Sequence, residues 1–276
     1  MGCNTSKNIS TKDVKIIISK DNVVNTISTT IIDDEKFPFP KKDYGGDRLA
    51  LQHHIFKYIW QSNFSAPVNE KLETGAKYPN SSFFGVERPT SVLRNLTPPV
   101  PSSVSLQYCD ILSRLPFEDE TFDFIYVRFM ASEIPDNKFN DIINELTRIL
   151  KIDGYLEIMD VDVRGGNEGI ETQEFMSSGK NPLITESLEP LLHSNSQLTS
   201  ITTENQVYPI GNWDNPIGEM TLKNLLMVLK QIKIYLAPYI KVNEDEYDRK
   251  LLNIKEEVNF FQTYWNSMRV YGKKLA

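Results

Sequence analysis

Three runs decide the fold: Thr121-Phe122-Asp123-Phe124-Ile125-Tyr126-Val127, the stretch from Asp136 to Leu150, and Tyr155-Leu156-Glu157-Ile158-Met159-Asp160. The first and third are apolar on both faces, as strands inside a parallel sheet are. Between them Phe139, Ile142, Ile143, Leu146, Ile149 and Leu150 keep the i, i+3, i+4, i+7 spacing of an amphipathic helix. Asp136 is placed to cap that helix and Asp153-Gly154 to end it. Strand, helix and strand at this spacing form a βαβ unit, which requires a parallel sheet.

Upstream, Ser82-Phe83-Phe84-Gly85-Val86-Glu87 reads as a short strand ending in a carboxylate, and Val104-Ser105-Leu106-Gln107-Tyr108 as another closing on Cys109-Asp110. Pro89 to Pro101 is a proline-punctuated loop. A helix is predicted from Asp47 through Gln61, with Leu49, Gln52, Phe56 and Ile59 on one side. A shorter one is predicted after Ala66-Pro67, carrying Val68 and Leu72. Downstream the pattern predicts a loop over 164–182, a helix near Leu183–Ser194 and a strand at Val207–Ile210. Helices at about 218–236 and 244–266 and a last strand at Met268–Tyr271 complete the chain. The expected architecture is a three-layer α/β domain over residues 44–276. Residues 1–43 are polar and rich in Asn, Ser and Thr, and are expected to be a disordered tail. Within that tail Val14-Lys15-Ile16-Ile17-Ile18 dissents, because its β-branched apolar composition suits a strand.

Composition narrows the function. The chain has 276 residues, a net charge of −7, 40% hydrophobic and 24% charged residues, as ordinary soluble domains do. Its acids are scattered, so it lacks the basic footprint of a nucleic-acid binder. Its two cysteines, Cys3 and Cys109, build no disulfide framework, and no Cys/His spacing suits a metal. No apolar run reaches membrane-spanning length and no secretory segment is visible, so a cytoplasmic protein is expected. Met1-Gly2-Cys3-Asn4-Thr5-Ser6-Lys7 fits an acylated start: Gly2 with Ser6 matches the N-myristoylation pattern, and Cys3 is a palmitoylation candidate. Two acyl chains would give stable peripheral membrane contact where one gives only marginal binding. The alternative is an unmodified start.

Ligands of open parallel sheets bind outside the carboxyl ends of the strands, and that rule selects the carboxylates. Glu87 ends one strand, Asp110 follows the next, and Asp160 with Asp162 follow a third. An acid at the second strand end can accept from both hydroxyls of a ribose, and one past the third from an exocyclic amine. Any one of them alone is also explained as a solvated loop residue. No residue identifies itself as a catalytic base.

In order along the chain stand Phe84-Gly85-Val86-Glu87, Cys109-Asp110-Ile111, Leu115-Pro116-Phe117-Glu118-Asp119-Glu120-Thr121-Phe122-Asp123-Phe124, Asn144-Glu145-Leu146-Thr147-Arg148-Ile149-Leu150-Lys151 and Gly154-Tyr155-Leu156-Glu157. The series resembles the class I S-adenosylmethionine-dependent methyltransferases. Within them it is most similar to fungal enzymes that resemble secondary-metabolism regulators. Asp47-Arg48-Leu49, Gln52-His53-His54-Ile55-Phe56 and Trp60, and the terminal Tyr264-Trp265 through Tyr271-Gly272-Lys273-Lys274, extend the similarity. The resemblance implies a Rossmann-like methyltransferase sandwich and S-adenosyl-L-methionine as cofactor, with Glu87 on the ribose and Asp110 and Ile111 at the adenine. It implies lid contacts from Gln52 or His53, and ring and lid contacts from Arg128 and Phe129. The methyl acceptor would be a small molecule or a protein. His53 and His54 are equally well read as helix residues packed on the sheet.

One departure stands out. Between Leu72 and Tyr78 there are only Glu73, Thr74, Gly75, Ala76 and Lys77, where a first strand, its glycine-rich loop and a helix need about 20 residues. Both flanks are intact, as a clean excision would leave them. The expectation is a domain whose first strand and its helix are missing or replaced, with cofactor binding and methyl transfer impaired. The alternatives are a non-catalytic binding or regulatory module of the same fold, or a truncated product. A missing central strand also strands two ladders of hydrogen bonds, at about 1–3 kcal/mol per buried orphan. Val14–Ile18 is the segment whose composition suits the vacant slot.

Overall fold

The structure, a computed structural model, describes residues 14–19, 48–68, 81–87, 104–130, 134–177 and 182–276. Its strands are β1 (Val14–Ser19), β2 (Ser82–Glu87), β3 (Val104–Tyr108), β4 (Phe122–Arg128), β5 (Leu150–Gly166), β6 (Leu198–Pro209) and β7 (Tyr264–Lys274). They form one sheet in the order β3-β2-β1-β4-β5-β7-β6. The pairs from β3 through β5 are parallel, while β7 runs antiparallel to both β5 and β6. The helices are α1 (Arg48–Trp60), α2 (Phe139–Ile149), α3 (Ile170–Met176), α4 (Thr185–His193), α5 (Ile217–Tyr239) and α6 (Glu244–Phe260). This is a three-layer α/β sandwich with a mostly parallel sheet.

The central slot is filled by β1. Ile16 is in register with Phe84 of β2 on one side and Ile125 of β4 on the other, and Ile17 with Gly85 and Tyr126. The strand therefore comes from ahead of α1 in the chain, not from between α1 and β2 where the sequence is short. Residues 20–81 connect the parallel pair β1 and β2, long enough for the crossover that parallel pairing demands. β1 lies within residues 1–43, across the expected boundary from the other strands of the sheet it completes.

Two cores lie on the two faces. Leu51, Ile55, Phe56 and Trp60 of α1 join Phe124 and Tyr126 of β4, Met159 of β5, and apolar residues of α5 and α6. On the other face Ile125, Val127, Leu156 and Ile158 meet Ile142, Ile143, Leu146 and Ile149 of α2 and Leu188 and Leu192 of α4. The alternation of β4 between the cores is what two covered faces require.

Several elements differ from their sequence reading. Asp136 does not cap α2: it opens a 3₁₀ turn, Asp136–Lys138, with no side-chain cap. Asp153 and Gly154 lie within β5, at the irregularity between Leu150 and Tyr155, with Asp153 left-handed at φ 62°. A Cβ on Gly154 would meet the carbonyl oxygens of Lys151 at 2.8 Å and Asp123 at 2.9 Å, so that glycine answers a close backbone approach. The helix predicted to 266 stops at Phe260, because Tyr264–Lys274 is drawn into β7 by pairing with both β5 and β6. The strand predicted at Val207–Ile210 begins at Leu198. Gly2, Cys3, the turn at Tyr78–Asn80 and residues 73–77 lie outside the described residues.

Candidate cofactor site at the carboxyl edge of the sheet

Four parallel strands end along one edge. Glu87 is in register with Tyr108, so β2 and β3 finish together, with Cys109 and Asp110 following. Ser19, the last residue of β1, is in register with Arg128, the last of β4. Reading across the edge therefore gives Asp110, Glu87, Ser19 and Arg128: two acids, a hydroxyl and a guanidinium.

Glu87 ends β2 as the sequence implied. Asp110 is exposed, and one of its carboxylate oxygens accepts the Leu112 N–H at 3.0 Å while its carbonyl accepts the Ser113 N–H at 3.1 Å. This tight turn fixes where the carboxylate stands. Ile111 is 4% exposed and packs in the core beside α2. It also lines a cavity of about 230 Å³ with Leu112, Arg114, Ile142 and Glu145. Asp160 and Asp162, read as following a strand, lie within β5, which continues to Gly166 by pairing with β7. Asp162 is buried and accepts from the N–H of Thr185 at 2.9 Å and its hydroxyl at 2.7 Å, which holds the first turn of α4.

On the α1 side of the edge sits a buried polar cluster. Arg128 is 5% exposed and His53 3% exposed, and an Nη of Arg128 lies 3.4 Å from His53 Nδ1. Guanidinium only donates, so Nδ1 accepts and the ring proton rests on Nε2. Burial, followed by the charges of Arg128, His54 and Lys57, pushes the His53 pKa well below its ordinary value, so the ring is neutral. Gln52, also buried, accepts a hydrogen bond from Arg48. The Arg128 guanidinium sits 5.2 Å over the ring of Phe129, whose own ring meets Phe56 at 4.9 Å. Phe129 leaves β4 at φ 55° with its N–H bonded to the Met159 carbonyl at 3.0 Å, so the chain turns sharply at the strand end. The aromatic row continues from Phe56 to Tyr208 at 5.3 Å and to Trp265 at 6.5 Å from Tyr208. Burial first, then Asp162 and Asp160, raises the Tyr208 pKa, so its phenol stays protonated.

The motif from Leu115 to Phe124 and the one around Glu145–Arg148 turn out to be one structural unit. Arg148 donates to the carbonyls of Phe117 at 2.9 Å and Leu115 at 3.3 Å, to Asp119 at 2.6 Å and to Glu145 at 2.6 Å. Glu145 in turn accepts the Leu115 N–H at 2.7 Å. These residues lock the turn ahead of β4 onto α2, and Glu145 and Arg148 also line the cavity beside Ile111. The pairing of His53 with Arg128, 75 positions apart, left no periodic signal.

The edge thus brings Glu87 and Asp110, at the ends of β2 and β3, beside the ends of β1 and β4. No group of His, Cys, Asp and Glu suited to a metal ion occurs among the described residues.

The family described as "Methyltransferase domain" matches residues 74–158, which run from ahead of β2 to within β5 and leave out β1. Two curated relatives of Strobilurus tenacellus, methyltransferases str3 and str2, are each 22% identical over 160 residues, covering 54% of this chain and 54% of theirs. The chain thus spans about half the length of the curated relatives it matches. Among solved structures, phosphoethanolamine N-methyltransferase 2 of Haemonchus contortus, in complex with phosphomonomethylethanolamine and S-adenosylhomocysteine, aligns with a TM-score of 0.47 and 14% identity, covering 98% of this chain and 50% of that one. A SAM-dependent methyltransferase from Archaeoglobus fulgidus aligns with a TM-score of 0.45 and 10% identity, covering 96% and 87%. The chain resembles a methyltransferase domain over residues 74–158.

Proposed function

We propose that this chain binds S-adenosyl-L-methionine along the carboxyl edge of β1–β4 and transfers its methyl group to a small molecule or protein. The observation that carries the reading is the occupied central slot. With Val14–Ser19 between β2 and β4, the edge that presents Glu87 and Asp110 is continuous, although the sequence between Leu72 and Tyr78 is short. Glu87 accepts from the ribose hydroxyls, Asp110 from the adenine amine, and Ile111 contributes apolar contact to the base.

The sulfonium supplies an already activated methyl group when the cofactor is bound, so the chain's own task is holding and alignment. Glu87 and Asp110 fix the nucleoside, and the turn at Asp110–Ser113 fixes Asp110. Packing of α1 across the edge, through Phe56 against Phe129, keeps water from one side. No residue is assigned as a base.

A second reading is favoured by the five residues Glu73–Lys77, which cannot supply a glycine-rich loop: a non-catalytic module that keeps the fold and binds a partner. Calorimetric titration with S-adenosylhomocysteine decides between them. Micromolar binding supports the cofactor reading; no heat at millimolar ligand leaves the non-catalytic module.

A further inference from the structure

We infer that the exposed flank of α5 is a membrane contact that lies on an anionic lipid surface. The inference stands apart from the cofactor reading and uses none of its residues.

The first ground is what α5 keeps exposed. Its inner side is spent in the core, where Leu222, Leu225 and Leu229 join residues of α1 and α6. Past Leu229 the outer side stays apolar as well. Ile234 is 71% exposed, Tyr235 75% and Tyr239 69%, with Ile232 exposed beside them. Ile232, Tyr235 and Tyr239 keep the i, i+3, i+7 spacing that puts side chains on one side of a helix, and Ile234 stands on the adjoining row. Exposed apolar residues scattered singly are ordinary; gathered on one helix they make a face that marks a contact.

The second ground is charge. From Met220 to Asn243 the chain carries no acid and four lysines, Lys223, Lys230, Lys233 and Lys241, although its net charge is −7. Lys233 is taken up by Asp248 at 3.0 Å and Glu244 at 3.5 Å on α6. Lys223 and Lys230 are exposed and, at i and i+7, line up with Ile234 at i+11 along one border of the apolar face. Lys241, also exposed, follows the helix end. An apolar strip bordered by lysines is how a helix lies in the plane of a membrane: the strip enters the acyl boundary while the ammonium groups stay among anionic headgroups. Tyrosine, with an apolar ring and a polar tip, suits that depth. Helix α6 also exposes Leu252 and Phe260, but its acids outnumber its bases, and anionic lipid would repel it. The start of the chain points the same way independently, since Gly2 and Cys3 match acylation patterns. One acyl chain holds a protein only marginally and needs a second membrane signal. The stretch from Cys3 to Val14 spans at most roughly 40 Å, a reach that lets an acyl chain and α5 share one bilayer.

The test is flotation of the full, unacylated chain with vesicles of phosphatidylcholine alone and of an equal mixture of phosphatidylcholine and phosphatidylserine. The wild type should float with the mixed vesicles, bind phosphatidylcholine far less, and lose most of its binding in high salt. Lys230→Gln should weaken binding to the mixed vesicles about fivefold, the worth of one basic residue near an anionic surface. Ile234→Ser combined with Tyr235→Ser should weaken it by roughly tenfold or more. The melting temperature should stay unchanged in both variants, because all three side chains are exposed. Leu252→Ser on α6 should alter nothing. A wild type that binds neither vesicle overturns the assignment, as does binding that survives the α5 substitutions or falls equally with Leu252→Ser. Sedimentation gives the remaining outcome: a wild-type dimer that Ile234→Ser with Tyr235→Ser returns to monomer makes the face a contact between copies, and overturns the lipid assignment.

Discussion

Glu157, fully buried in the middle of β5, accepts a hydrogen bond from the backbone N–H of Ala66 at 2.7 Å. The same carboxylate takes the Ser65 N–H at 2.9 Å. The segment that leaves α1 is thereby tied to the centre of the sheet. Arg269, stacked over the Trp60 ring at 4.4 Å, donates to the Ser62 hydroxyl at 2.8 Å and to its carbonyl at 3.1 Å, which closes the tie from β7. Trp60 itself donates to the Ser267 hydroxyl at 3.0 Å. Placement of α1 over the edge, and with it His53, depends on this buried cluster.

Burial pushes the Glu157 carboxyl up to about 7 from 4.5, against the pull of Arg269 and the Ala66 and Ser65 N–H groups. The folded state then binds the proton more tightly than the unfolded one. The contribution of this group is greatest below pH 4.5 and is lost as pH rises through 7, by on the order of 3 kcal/mol. Urea unfolding of wild type and Glu157→Gln across this range should show a stability difference that changes with pH. A difference that stays constant would remove Glu157 as the titrating group.

The inserted strand should be essential to stability. Ile17→Pro removes one ladder donor from a strand paired on both sides and should cost about 1–3 kcal/mol or more. Deleting residues 1–30 should lower the melting temperature further. An unchanged melting curve for the deletion would mean that β1 contributes nothing to the sheet in solution.

Arg148→Ala should loosen the turn ahead of β4, since it removes donors to Leu115, Phe117, Asp119 and Glu145 together. A destabilisation of about 1.5–3 kcal/mol is expected, with any change in cofactor affinity secondary to it, because these bonds hold the turn. Thermal unfolding alongside ligand titration separates the two effects. A selective loss of affinity with unchanged stability would contradict the structural role.

If the Gly2-Cys3 start is acylated, Gly2→Ala should shift the protein from the membrane fraction to the soluble fraction of expressing cells, and Cys3→Ser should weaken retention. Metabolic labelling with a myristate analogue checks the modification directly. No helix among the described residues is long and apolar enough to cross a membrane.

Local pattern made much of the fold legible. The spacing of Ile142, Ile143, Leu146 and Ile149 predicts α2, and the two-faced apolar runs predict β4 and β5. Ser82–Glu87 and Val104–Tyr108 are strands with the boundaries the sequence indicates. Glu87 and Asp110 stand at strand ends as that reading has them, while Asp160 and Asp162 lie within β5 because β7 extends it to Gly166. Tyr264 was misread as helical because local periodicity says nothing of the two strands that claim it.

Short-range pattern, then, determined the strands and helix from Ser82 to Ile149 and the place of Glu87 and Asp110 at strand ends, because backbone propensity and hydrophobic period act within a few residues. Only the tertiary structure decided that Val14–Ser19 enters the central slot, that Glu157 ties down Ser65 and Ala66, and that His53 meets Arg128. Those relationships join residues far apart in the chain, and long-range pairing is set by which partners leave no buried ladder unsatisfied, a condition no local window contains.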